Sequence, residues 1–204
     1  RGLVRITSTN NPELSDVSSA TFTITEYNPD HPGWIHWTAE YGLPSDRVYA
    51  LAADEDGGVW AGFQFDGVAY YNGGMWHTYD SENTGVAIDS IYDIAIDHAG
   101  TVWFLPFDGD LVSYDGQTWR SHPGGSTRMR DICVQEDNSL WVGSYIDGLW
   151  EYADGQWIEW KSPVAALAEE SCPESLVLDH DNVLWLGYKF GGGIARKDGD
   201  DWTD

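Results

Sequence analysis

Eight side chains of this 204-residue chain are the candidates for chemistry: Phe63, Gln64, Asp66, Asp108, Tyr145, Asp147, Tyr188 and Lys189. They fall in loops joining a second strand to a third strand in successive repeats. Flat aromatic faces beside carboxylates and an amide suit a sugar, whose C–H faces stack on rings while its hydroxyls bond the acids. In the same loops Phe65, Phe107, Ile146 and Phe190 share a consistently apolar position and are expected in the core. Phe63, Tyr145 and Tyr188 lie off that position and are offered to a ligand.

Catalytic signals are sparse. No Gly-x-Ser-x-Gly elbow, His-Glu-x-x-His pair or phosphate loop is present. The six histidines occupy non-equivalent places, and nothing singles out two of the 34 acidic residues as a glycosidase or lyase pair. The acidic turns Asp54–Gly57 and Asp179–Asn182 superficially resemble the start of a calcium loop. Neither supplies the closing bidentate Glu, and each runs straight into a strand. The reading is therefore no catalytic residue, no metal and no cofactor, with weak calcium binding at the turns as a minor alternative.

Tryptophan spacing identifies the elements that position these loops. Sixteen residues separate Trp60 from Trp76, Trp103 from Trp119 and Trp141 from Trp157; seventeen separate Trp185 from Trp202. Six residues before each first Trp stands Asp54, Asp97, Gln135 or Asp179, and turn residues fill the interval. Gly or Asn stands there where a positive φ is needed. Nine residues before each second Trp comes Gly67, Asp110, Gly148 or Gly193, followed by a short strand and a second turn. Leu51/Ala53, Ile94/Ile96, Ile132/Val134 and Leu176/Leu178 alternate on one face of the first strand. Each unit reads as four short antiparallel strands, the sequence form of a β-propeller blade. The eight paired tryptophans are assigned to the framework. The only stretch with room for a helical turn is Val164–Glu170.

The fold class is thus all-β: a propeller-type array of four four-stranded blades, with an N-terminal β-hairpin and one extra outer strand. The blades fall at about 45–85, 86–126, 127–170 and 171–204. Residues 28–44 read as linker plus stray strand, because Trp34–Trp37 matches the blade strand Trp157–Trp160. An array open to further blades or another chain is favoured over a closed four-bladed ring.

Val48–Gly62 followed by Asp66–Tyr79 resembles the two-component regulator propeller repeat, and four such units cover residues 45–204. The chain departs from the family pattern after each Trp-x-Gly or equivalent, at Phe63–Phe65, Leu105–Phe107, Ser144–Ile146 and Tyr188–Phe190. The resemblance implies a sensor region of a bacterial regulator, or part of a surface protein, binding oligosaccharides or other small ligands. Residues 1–27 resemble the closing hairpin of an immunoglobulin-like surface domain, with strands at Leu3–Ser8 and Ala20–Thr25.

Composition narrows the partners. With 34 acidic against 10 basic residues the net charge is −24, which disfavours nucleic acid and anionic membranes. No apolar run reaches the length that spans a bilayer as a helix. An acidic, soluble extracellular, surface or periplasmic protein fits; adaptation to high salt and a cation-laden surface are sharper alternatives. Cys133 and Cys172 fall about five residues out of register, so the spacing argues against a bridge between them. Three functions are compatible with these features. The first is a non-enzymatic recognition module binding a carbohydrate or small ligand at the loop-lined mouth. The second is a structural or adhesive surface component that assembles with another protein chain. The third is a propeller lyase or glycosidase.

Overall fold

A computed structural model describes residues 4–7, 15–18, 26–27, 35–126, 128–145, 147–160, 173–189, 193–199 and 201–203. Four meander sheets carry the fold. The first is β5 (Val48–Ala53), β6 (Val59–Phe63), β7 (Val68–Asn72) and β8 (Met75–Tyr79). The second is β9 (Ile91–Ile96), β10 (Val102–Pro106), β11 (Leu111–Tyr114) and β12 (Trp119–His122). The third is β13 (Met129–Val134), β14 (Leu140–Ser144), β15 (Gly148–Ala153) and β16 (Gln156–Trp160). The fourth is β17 (Pro173–Leu178), β18 (Leu184–Tyr188), β19 (Ile194–Asp198) and β20 (Asp201–Thr203). Each sheet pairs in chain order and antiparallel, as a propeller blade does.

The turn between the first two strands of each blade explains the spacing seen in the sequence. Gly57, Gly100, Asn138 and Asn182 each stand three residues before the blade's first Trp, all with positive φ (84°, 83°, 68° and 60°). Gly and Asn are the residues that tolerate this conformation. The Asp six residues before the Trp closes the turn. Asp97 Oδ1 accepts from the N–H groups of Ala99 and Thr101, and its Oδ2 accepts from the Trp103 indole at 2.9 Å. Asp179 does the same for Asp181, Val183 and the Trp185 indole.

The innermost strands pack in series, β5 on β9, β9 on β13 and β13 on β17. Between blades lie three apolar clusters. In each, the Trp of one blade covers the inner strand of the next. Trp60, Trp103 and Trp141 are 3%, 9% and 4% exposed, but Trp185, in the fourth blade, is 37% exposed. On the opposite face Ile94, Ile132 and Leu176 are 6%, 6% and 7% exposed, whereas the equivalent Leu51 of the first blade is 65% exposed. Among the described residues no blade covers Leu51 or Trp185.

Three local features differ from the sequence reading. A single helical turn, α1 (Ser81–Thr84), lies between the first and second blades, held by a capping box of Asp80 and Asn83. The stretch expected to hold a helical turn, 164–170, lies outside the described residues, as does Cys172. Near the N-terminus β1 (Val4–Thr7) pairs with β2 (Ser15–Ser18), residues whose Ser and Asp content reads as loop; the expected partner strand at 20–25 lies outside the described residues. Finally β3 (Glu26–Tyr27) pairs with β4 (Ile35–His36).

Candidate functional site

Every innermost strand carries a register slip at the same place. It falls between Val48 and Ala50, Ile91 and Asp93, Met129 and Asp131, and Pro173 and Ser175. A bulge leaves one residue unpaired and re-aims its side chain. The residues so presented are Tyr49, Tyr92, Arg130 and Glu174, one per blade. Beside them stand Gln64, Phe107, Tyr145 and Lys189, each four residues after the blade's first Trp. The rows are tied together by backbone bonds: Gln64, Phe107 and Tyr145 N–H donate to the carbonyls of Arg47, Ser90 and Arg128 at 3.2, 2.8 and 2.8 Å.

Together the two rows make a band of aromatic faces and cations crossing from blade to blade. The Tyr49 and Tyr92 rings lie 6.1 Å apart. Tyr92 stacks on Phe107 at 4.7 Å and 14°. Arg130 Cζ lies 4.2 Å from the Tyr92 ring centre, 5.1 Å from Tyr145 and 5.6 Å from Phe107. Lys189 Nζ is 5.9 Å from the Tyr145 ring and pairs with Glu174 at 2.9 Å. Such a surface can stack planar or C–H faces and hold an anion.

Of the residues singled out from sequence, Gln64, Tyr145 and Lys189 join this band. Asp66 and Asp108 are exposed in the adjoining loops. Asp147 shapes its loop, accepting from the Ser126 hydroxyl at 2.7 Å and donating its N–H to Ser144 Oγ. Phe63 requires correction: it is wholly buried with Leu43, Ala61 and Ala69. Tyr188 is half-buried against the cluster between the third and fourth blades, and burial pushes its hydroxyl up to about 12. The expected core position is reversed as well. Phe65 and Phe107 are exposed, because inward-facing parity ends with the second strand; Ile146 and Phe190 lie outside the described residues. Tyr49, Tyr92, Arg130 and Glu174 were missed because a bulge breaks the alternation without changing residue type. Their signal is an outsized or charged residue at one repeat position, preceding Ala50, Asp93, Asp131 and Ser175.

Two buried polar groupings hold the frame. Asp93 accepts from Ile94 N–H at 2.8 Å and, across to the third blade, from Ile132 N–H at 3.0 Å. Asp131 likewise reaches Leu176 N–H of the fourth blade. Burial raises Asp93 to about 8, reinforced by the hydrogen bond and charge of Asp131. Ser113 Oγ lies 2.7 Å from His122 Nε2, whose Nδ1 lies 2.6 Å from the Tyr152 hydroxyl. This superficially resembles a nucleophile and base, but Ser113 is 2% exposed. It is a bridge between the second and third blades.

A cavity of about 520 Å³ opens at the far end of the strands from the band, between the acidic turns of the first two blades; Trp60, Tyr70, Tyr79 and Tyr114 line it. Two of its four carboxylates, Asp54 and Asp97, are occupied. Asp54 accepts from Asp56, Gly58 and the Tyr70 hydroxyl, and Asp97 from its own turn and Trp103. At the fourth blade, ligand atoms of Asp179, His180 and Asp181 lie within 4.8 Å of one another, but both Asp179 oxygens already accept hydrogen bonds. Among the described residues no helix is long and apolar enough to cross a membrane.

Comparisons with known proteins agree with this geometry. No curated protein sequence matches the chain. Among solved structures it is similar to the extracellular domain of the one-component system BT4673 from B. thetaiotaomicron, at TM-score 0.66 and 18% identity, over 83% of this chain and 23% of that one. Virginiamycin B lyase from Staphylococcus aureus is similar at TM-score 0.64 and 19% identity, over 77% and 54%. PorZ, a surface component of the type-IX secretion system of Porphyromonas gingivalis, is similar at TM-score 0.58 and 16% identity, over 95% and 32%. The chain thus spans about a quarter of the first of these. The family model for the two-component regulator propeller matches residues 42–64. The chain is a four-bladed β-propeller array, and its segment 42–64 is similar to the two-component regulator propeller repeat.

Proposed function

We propose that this array is a non-enzymatic recognition module of the cell exterior or periplasm, and that its bulge-lined end binds an oligosaccharide or a comparable small ligand. The supporting observation is the band running from Tyr49 through Tyr92, Phe107, Arg130 and Tyr145, presented by one bulge per blade. Similarity of fold to the extracellular domain of a one-component system is consistent with that reading. A glycan array probed with the intact chain tests it. Binding is expected, weakened about tenfold by Tyr92→Ala or Tyr145→Ala through loss of a stacking face. Absence of any saccharide hit, or hits indifferent to both changes, rejects it.

A second reading, a structural or adhesive component that assembles with another protein chain, is favoured by Leu51, Trp185 and Ile194 exposed at the two ends of the array. It predicts self-association or capture of a subunit in the absence of glycan binding. The third reading, a lyase or glycosidase, has only the fold it shares with virginiamycin B lyase in its support.

A further inference from the structure

The band contains a cation that the rest of the chain leaves unused. Basic residues are scarce here, 10 against 34 acidic ones, and four of the others are engaged by their neighbours. Arg120 pairs with Asp115 at 2.6 Å, Arg196 with Asp198 at 2.7 Å and Lys189 with Glu174 at 2.9 Å. Lys197 lies over the Trp160 ring at 4.1 Å and bonds the Gly199 carbonyl. Arg130 differs. Its Nε is buried without a hydrogen-bond partner, and among the described residues no carboxylate pairs with it. Its guanidinium is held by ring faces alone, those of Tyr92, Tyr145 and Phe107. Stacking fixes the plane, and the two terminal Nη groups, which make no hydrogen bond among the described residues, are the donors that can take a carboxylate or sulfate through two parallel bonds.

The surroundings favour an anion over a neutral group. Arg47 and Arg128 stand two residues before the bulges of the first and third blades, and Lys189 lies across Tyr145 from Arg130. Four of ten basic residues therefore gather at one end of a chain of net charge −24. Of the acids there, Glu174 is engaged by Lys189 and Asp147 by Ser126, while Asp66 and Asp108 are exposed in the adjoining loops.

We propose that Arg130, stacked between Tyr92 and Tyr145, anchors an anionic group, so that the ligand is an acidic saccharide carrying carboxylate or sulfate. This rests on the band being the ligand site. The test titrates the intact chain with oligogalacturonate (carboxylate), dextran sulfate oligomers (sulfate) and neutral dextran oligomers, at low and high salt. At least one acidic probe is expected to bind more tightly than dextran and to weaken as salt rises; which one binds distinguishes carboxylate from sulfate. Arg130→Gln should lower that affinity about 10- to 100-fold. Arg130→Lys, which keeps the charge and loses the planar fork, should fall between. Arg120→Gln removes the same charge elsewhere and should have no effect. Circular dichroism checks that each variant is folded. Equal binding of dextran and the acidic probes, or loss of affinity equal in Arg120→Gln and Arg130→Gln, overturns the proposal. If neutral glycans bind and Tyr92→Ala abolishes this, the anion is wrong and the band stands; if no saccharide binds, the band fails with it.

Discussion

Asp93 shows how one side chain can stabilise the blade contact and still cost stability at neutral pH. It joins the second blade to the third through Ile132 N–H, yet it is buried beside Asp131 and titrates near 8. An unfolded aspartate titrates near 3.9. Below about pH 4 the group is protonated in both states and contributes no pH dependence. Between about 4 and 8 the folded chain holds a proton that the unfolded chain has released. Its contribution therefore falls as pH rises through that window, by up to about 1.4 kcal/mol per pH unit. Asp93→Asn removes this ionisation and retains an acceptor for Ile132. Urea unfolding at pH 5, 6, 7 and 8 should show the variant gaining on the wild type as pH rises. Parallel curves for the two proteins would contradict the assignment.

At the scale of strands and turns, what the sequence makes legible is whatever repeats by residue type. The Trp pair, the Asp (Gln135 in the third blade) six residues before it and the Gly or Asn between them locate all four blades, because each solves a local problem of the same turn. Asn182 makes that checkable. With φ at 60°, Asn182→Gly should be nearly neutral, whereas Asn182→Ala should cost about 1 kcal/mol in thermal or urea unfolding. Equal effects of the two changes would remove the turn argument. The site was less legible for a geometric reason. Alternation places Tyr49, Tyr92, Arg130 and Glu174 by parity, and a bulge shifts parity without a characteristic residue. The same parity error put Phe65 in the core and Phe63 on the surface. Helix α1 escaped notice because its cap, Asp80 with Asn83, closes a turn too short to show a periodicity.

Over the whole molecule, stability should track the neighbours each blade has, since stacked repeats are coupled to adjacent units alone. Trp103 and Trp185 make a matched pair for this test. Both occupy the same position in a second strand, and both donate the indole N–H to the Asp six residues earlier, at 2.9 and 2.8 Å. Their neighbours differ: Trp103 is covered by Met129, Ile132, Leu140 and Val142 of the third blade, and Trp185 faces outward. Trp103→Ala should therefore cost about 3–5 kcal/mol, the range for a buried aromatic. Trp185→Ala loses the same indole bond but creates no interior cavity, and should cost less than half as much. Urea denaturation of both variants, repeated at several protein concentrations, separates the cases. An equal cost that grows with concentration would mean that the end face around Trp185 is covered in solution by another molecule. An equal cost independent of concentration would mean that the blades do not transmit stability through these tryptophans.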